Sequence, residues 1–291
     1  MAVRRRFRQV DVFTGVALKG NPLAVVLDAE GLAEADMHAL ARWTNLSETT
    51  FVLAPQSPLA DYRVRIFSPG AEFPFAGHPT LGTAHALLEA GLVPKTPGRL
   101  IQECGVGLVA IDIGADGALA FHAPEAALQN LHPGLFPLVR AALGSERICF
   151  EPAPVIVTMG LCWLVVRMAD AQACLDARPD SAGLAGLVRE GMLGVAMVGA
   201  HPAGGPADYE VRVIFSKDGQ LAEDPVTGSA NACIARVLAA QGFPDGGRAQ
   251  GYSARQGTAL HSDGRIAVRY SGGEPWIGGH SITVISGSIT L

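Results

Sequence analysis

Glu48, His78 and Asp224 are the side chains whose type and setting suit proton transfer, and each stands where a strand pattern meets a helix pattern. Glu48 follows Asn45-Leu46-Ser47, where one helical pattern stops, and precedes the β-branched run Thr49-Thr50-Phe51-Val52. A carboxylate at the head of a strand is ordinarily a surface residue. Aimed into a cleft and stripped of part of its water, it acquires a raised pKa and can move a proton near neutral pH. His78 lies in Phe75-Ala76-Gly77-His78-Pro79, ahead of a helical pattern over 80–90. Asp224 lies in Glu223-Asp224-Pro225-Val226-Thr227-Gly228-Ser229, between a strand pattern over 211–215 and a helical pattern over 231–241. Gly77, Gly228 and Ser229 stand at the two helix starts, where backbone N–H groups lack intrahelical partners and can hold a small anion. The set reads as an acid–base site for a small carboxylate-bearing substrate. Taken singly, each member has a structural alternative: histidine beside proline is commonly a loop residue, and aspartate ahead of a helix is commonly a cap.

The two junctions echo one another. Tyr62/Tyr209, Val64/Val211, Arg65/Arg212, Ile66/Ile214, Phe67/Phe215, Ser68/Ser216, Pro79/Pro225, Gly82/Gly228 and Ala84/Ala230 recur in order at offsets of 146 to 148. Such order predicts two halves of one topology, each supplying a strand–loop–helix to a shared cleft, with His78 in the place of Asp224. Prolines at 124 and 133 mark the boundary, giving halves over 1–126 and 127–291, with terminal strands able to cross back to the first half.

The elements that must position these residues follow from periodicity. Strands are expected over 7–13, 23–27, 49–53, 62–67, 101–104, 108–113, 119–122, 155–159, 163–167, 195–198, 211–215, 258–261, 265–270, 281–285 and 288–291. Helices are expected over 33–43, 80–90, 135–143, within 171–189, and over 231–241, with a turn-rich stretch over 242–251. At 49% hydrophobic residues the chain can bury ample cores. Its net charge of −5 and scattered basic residues, apart from Arg4-Arg5-Arg6, argue against a nucleic-acid partner. No apolar run approaches the roughly 18 residues of a membrane span, and the charged N-terminus shows no leader pattern. The odd number of cysteines without C-x-x-C spacing fits a reduced, cytoplasmic compartment. Nucleotide fingerprints, zinc-type histidine spacing and a G-x-S-x-G elbow are absent from the sequence, and Cys233 reads as a core thiol.

With these residues in view, the chain resembles the PhzF family of phenazine-biosynthesis-like proteins. The resemblance is carried by DVFTGVALKGNPLAVVL, NLSETTFV, IFSPGAEFPFAGHPTLGTAHAL, FSKDGQLAEDPVTGSA and ARQG, in order along nearly the whole chain. It implies an α+β, diaminopimelate epimerase-like fold: two pseudo-symmetric halves, each a curved sheet or barrel around a central helix. It also implies an active site in the cleft between them, no cofactor and a homodimer. In phenazine producers the family member isomerises trans-2,3-dihydro-3-hydroxyanthranilate, and the glutamate that moves the proton corresponds to Glu48. The substrate-binding residues correspond to Gly77, His78, Asp224, Gly228 and Ser229. Two departures stand out: Ala76 where cysteine is frequent, and 258–265 where the family often has Gly-Arg. The loops hold no cysteine pair, which disfavours two-thiol racemisation. The expected activity is therefore a cofactor-independent isomerase acting on an amino or hydroxy carboxylate. An epimerase or lyase-like activity in the same cleft, or a non-catalytic metabolite-binding protein on the same fold, stays open as an alternative.

Overall fold

The run Tyr62-Arg63-Val64-Arg65-Ile66-Phe67 buries Tyr62, Val64 and Ile66 on one face and leaves both arginines half-buried on the other. That is the period-2 pattern of a strand with one wetter face. It recurs through a computed structural model that describes residues 2–217, 219–243 and 250–291. The chain divides into two units, Met1–His122 with Gly278–Leu291, and Ala123–Ile277.

The first unit runs β1 (Arg4–Val12), β2 (Asn21–Val26), α1 (Glu34–Thr44), β3 (Thr49–Leu53), β4 (Tyr62–Phe67), β5 (Glu72–Phe73), α2 (Gly77–Glu89), β6 (Arg99–Cys104), β7 (Gly107–Ile113) and β8 (Leu119–His122). The C-terminal strand Ser281–Thr290 pairs antiparallel with β1, which pairs with β2 on its other side. β2 and β3 are parallel, and β3 and β4 antiparallel. β4 then meets β5 antiparallel at Ile66 and Phe67, and β6 parallel at Tyr62 and Arg63, so the sheet splits along one strand. β6, β7 and β8 complete it as a meander. The sheet bends far enough for α2 to pack against β1, β2, β3, β8 and the C-terminal strand. α1 covers the outer face, where Met37, Leu40 and Ala41 meet Phe51 and Phe67.

The second unit runs β9 (Ala127–Asn130), α3 (Phe136–Leu143), β10 (Val155–Met159), β11 (Leu161–Arg167), α4 (Ala171–Asp176), α5 (Ser181–Arg189), β12 (Gly194–Ala200), β13 (Tyr209–Lys217), β14 (Gln220–Asp224), α6 (Gly228–Ala240), β15 (Gly251–Gln256), β16 (Gly264–Ser271) and β17 (Glu274–Gly279). Its pairings repeat the first unit's grammar. β11–β12 is parallel and β12–β13 antiparallel; β13 splits between antiparallel β14 and parallel β15; β15–β16 is antiparallel. α6 packs on β10, β11 and β12, while α3, α4 and α5 bury Val139, Cys174, Leu184 and Leu187 against the outer face.

Several expected elements change. α2 and α6 each begin three residues earlier than periodicity indicates, taking Gly77-His78-Pro79 and Gly228-Ser229-Ala230 into helix. Pro79 is tolerated there because a first-turn N–H has no intrahelical acceptor to lose. Residues 258–260 form a 3-10 turn rather than a strand, set between Gly257 and His261 at positive φ. The two terminal strands are one continuous strand held by β1. β5, β9, β14, β15 and β17 lie where no strand was expected. The turn-rich 242–251 stretch falls largely outside the described residues.

Gly82 shows how closely α2 is held. A Cβ there would lie 2.6 Å from Leu23 Cδ2 and 2.7 Å from Val12 Cγ2, both on buried side chains. Gly→Ala normally favours a helix by about 1 kcal/mol, but overpacking a close-packed site costs about 1–3 kcal/mol. Gly82→Val forfeits most of the helix gain and overpacks more. It is expected to lower stability by about 2 kcal/mol, read as a fall in the urea midpoint at constant slope; an unchanged midpoint would show that α2 has room.

Candidate active site

Glu48 is placed by how α1 ends. Asn45 adopts the left-handed conformation that stops the helix, and its N–H bonds the Ala41 carbonyl. Thr44 and Thr49 hydroxyls meet at 3.0 Å across the short turn, pinning the start of β3 and with it Glu48. The Glu48 side chain is 15% exposed, and its Oε2 stands 3.3 Å from His78 Nε2, on a side chain 6% exposed. The expected pair in the first unit is thus brought together, with Gly77 beside His78 in the first turn of α2. Residues 72–79 read Glu-Phe-Pro-Phe-Ala-Gly-His-Pro, so the first turn carries no acidic side chain and no side-chain cap.

The ground under that turn is polar and dry. Tyr62 OH donates to Gln102 Oε1 at 3.0 Å, Gln102 Nε2 to Thr80 Oγ1 at 2.9 Å, and Thr80 Oγ1 to the Ala76 carbonyl at 2.9 Å. Beside it Thr83 donates to Thr50 at 2.9 Å, both fully buried. Each group in this chain is satisfied, which is what lets it be buried at all. Burial pushes the Tyr62 hydroxyl well above its ordinary range, so it remains a donor.

Asn21, between the expected strands over 7–13 and 23–27, lies against His78. It is fully buried, and its Nδ2 lies 3.5 Å from His78 Nδ1. As oriented, the amide nitrogen donates to Nδ1, which matches the neutral tautomer with its hydrogen on Nε2; that nitrogen lies 3.3 Å from Glu48 Oε2, outside hydrogen-bond geometry. Asp11 holds the preceding turn by accepting from the N–H groups of Lys19 and Gly20. A Cβ at Gly20 would strike the Val12 carbonyl at 2.2 Å. Gly20-Asn21-Pro22 between two strand patterns was the available signal.

In the second unit Asp224 ends β14, and its Oδ2 accepts from Thr227 Oγ1 at 2.5 Å. Thr227 is the N-cap residue of α6, whose first two residues are Gly228 and Ser229. Gln256 braces this loop: its Nε2 donates to the Asp224 carbonyl and to Thr227 Oγ1, both at 3.0 Å, and its Oε1 accepts from Thr227 N and Asn231 Nδ2. Thr227, Asn231 and Gln256 were not singled out as site residues, although Gln256 lies in the ARQG string.

The structure corrects the correspondence between the halves. Arg65 matches Arg212, but beyond the hairpins Glu72-Phe73-Pro74-Phe75-Ala76-Gly77-His78 matches Glu223-Asp224-Pro225-Val226-Thr227-Gly228-Ser229. The registers fix this: Phe73 pairs with Ile66, and Asp224 with Val213. His78 therefore corresponds to Ser229, and Asp224 to Phe73. The true echo was E-x-P-x-x-G, displaced by a longer hairpin in the second half. Both hairpins keep a bidentate pair, Arg65–Glu72 at 2.7 and 2.6 Å and Arg212–Glu223 at 3.1 and 2.8 Å.

The thiols do not take part in this geometry. Burial pushes Cys233 up to about 12, and Cys174 is pushed well above its usual value. Among the described residues no group of three or more His, Cys, Asp or Glu side chains could hold a metal ion, and no helix is long and apolar enough to cross a membrane.

A split, curved sheet wrapped on a helix is the architecture of the diaminopimelate epimerase-like fold. The sequence profile of the phenazine biosynthesis-like proteins matches residues 10–287, and the chain belongs to that family; several of its relatives are named isomerases. It is similar to an uncharacterized isomerase of Mesorhizobium japonicum, 34% identical and covering 99% of each chain. A trans-2,3-dihydro-3-hydroxyanthranilate isomerase of Pseudomonas fluorescens is 55% identical over 78 residues, 27% of this chain and 28% of that one. The crystal structure of a Bacillus anthracis PhzF-family protein superposes with a TM-score of 0.84 at 25% identity, covering 99% of each chain.

Burial pushes the His78 imidazole down to about 3. The unfolded chain, with histidine near 6.5, then binds the proton more readily than the fold does. Stability is full above pH 6.5 and is lost as pH falls from there toward 3. Between pH 7 and pH 5 the His78 contribution amounts to about 2 kcal/mol. Urea unfolding at the two pH values is expected to show wild type losing that much more stability than His78→Asn; equal losses would mean that His78 is not dehydrated in the fold.

Proposed function

We propose that this chain is a cofactor-independent isomerase in which Glu48 is the general acid/base, moving one proton on one face of a small amino or hydroxy carboxylate. The observation that carries the reading is Glu48, largely dehydrated at 15% exposure, held 3.3 Å from the Nε2 of a buried His78. A neutral His78 faces Glu48 at 3.3 Å, outside hydrogen-bond geometry, and becomes its donor from Nε2 when the pair tightens on substrate, rather than a competing acid. It orients the carboxylate and leaves it free to take and return the proton.

The uncapped first turn of α2, at Gly77, supplies backbone N–H groups and the positive end of a helix dipole to a substrate carboxylate. Asp224, Gly228 and Ser229 are assigned to substrate binding on the family resemblance and on the start of α6, with Thr227 and Gln256 fixing Asp224. Proton relocation within one molecule transfers no electrons, so the step as proposed asks for no redox cofactor. The substrate class is that of the relative's substrate, a small ring bearing a carboxylate, an amine and a hydroxyl. The reading also carries the expected cytoplasmic homodimer.

Mass spectrometry in D2O tests it. Purified protein is offered trans-2,3-dihydro-3-hydroxyanthranilate and related cyclic and acyclic amino and hydroxy acids. Wild type is expected to isomerise at least one, and Glu48→Gln to lose at least about 100-fold of the rate, the scale of a general acid/base. Asp224→Asn is expected to raise KM. Undiminished turnover in Glu48→Gln would overturn the assignment, and a product with both antipodes would favour an epimerase instead.

A further inference from the structure

The first unit contains a cleft of about 490 Å³ whose lining includes neither Glu48 nor His78. It opens where β4 passes from β6 to β5. Arg63, Arg65, Glu72 and Glu103 ring it, with Phe73 and Pro74 as apolar wall and Cys104 within.

The second unit shows why this space is there. Its split strand bears Glu210 and Arg212 at the places of Arg63 and Arg65. Glu210 is fully buried and meets His201 Nε2 at 2.9 Å. Arg212 is also buried and donates to the carbonyls of Cys174 and Ala177 at the end of α4. The register Tyr62↔Gln102 and Arg63↔Glu103, continued by one residue, sets Cys104 beside Val64, while Val211 pairs with Gln256. Gln256 fills the second unit's split with four hydrogen bonds. Cys104, with its much shorter side chain, leaves the first unit's split open, and Arg63 stands at its edge where the second unit has the buried Glu210.

The charges select a ligand. Arg65 is committed to Glu72 and Glu34 at 2.6 and 2.7 Å. Glu103 Oε2 accepts the N–H groups of Gln56 and Ser57 at 2.7 and 3.0 Å. Arg63 is only half-buried, yet its Nε is shielded from solvent and makes no hydrogen bond among the described residues. The lining thus sets two guanidiniums against two carboxylates. That balance gives a phosphate no net attraction, and it suits a ligand with one carboxylate for the Arg63 fork and one ammonium for the glutamates. Phe73 offers an apolar face to the rest of it.

We propose that this cleft is a second binding site, separate from Glu48, for a small zwitterionic amino acid whose carboxylate is held by Arg63. Its side chain lies on Phe73 and Pro74, and its ammonium faces Glu72 and Glu103.

Calorimetric titration with three probes of one skeleton tests this: L-phenylalanine, 3-phenylpropanoate without the ammonium, and 2-phenylethylamine without the carboxylate. L-phenylalanine is expected to bind saturably, with 3-phenylpropanoate weaker and 2-phenylethylamine not binding. Arg63→Gln is expected to weaken L-phenylalanine by at least about tenfold, the worth of a charge-assisted hydrogen bond, and Phe73→Ala to weaken it with Arg63 intact. Glu48→Gln is expected to leave it unchanged. No saturable binding of L-phenylalanine, indifference to both Arg63→Gln and Phe73→Ala, or loss in Glu48→Gln would each overturn the proposal. Loss in Glu48→Gln would assign the binding to the Glu48 site.

Discussion

The site depends on keeping one imidazole dry. His78 sits in the first turn of a helix enclosed by sheet, at 5% exposure, and a protonated ring has no place there. Neutrality decides what the ring can do. With the Asn21 amide against one nitrogen, the other faces Glu48 at 3.3 Å, outside hydrogen-bond geometry, so the carboxylate meets a neutral ring and is not neutralised by a cation. A charged partner would hold the carboxylate as a stable anion and reduce its basicity. A neutral ring beside it costs less of its ability to accept a proton.

Much of the first unit can be understood as support for that ring. The Tyr62–Gln102–Thr80 chain fixes the turn from below, Asp11 and Gly20 fix Asn21 from behind, and the Asn45 stop with Thr44–Thr49 fixes Glu48. Gly82 lets the helix lie close enough to β1 and β2 for these contacts to form. The second unit uses other residues for a like purpose: Gln256 from the parallel strand binds the loop before α6, where Gln102 serves α2. The two halves share a chain path and a hairpin Arg–Glu pair, and they differ in what fills the split between strands.

The sequence displayed most of the strands, both central helices and all the residues of the Glu48–His78 pair, because alternation, helix periodicity and turn residues are local. What it hid was non-local. Insertion of residues in one hairpin shifted the echo, so matching by residue identity set His78 against Asp224, and only strand register shows Ser229 as its counterpart. The helix starts were missed because Pro79 and Gly228 suggest loops, although a first turn tolerates both. Asn21 and Gln256 matter through partners 57 and 25 to 32 residues away, a distance that no spacing rule spans. The family resemblance supplied the roles of Asp224, Gly228 and Ser229, which periodicity alone could not assign.

Side-chain nitrogen NMR of His78 from pH 7 to pH 4, assigned by comparison with His78→Asn, bears most directly on the central claim. The account predicts a neutral ring with its hydrogen on Nε2 across that range, its signals unmoved while exposed histidines titrate. An imidazolium appearing near pH 6.5, or a hydrogen on Nδ1, would contradict it and remove the neutral partner on which the Glu48 assignment rests.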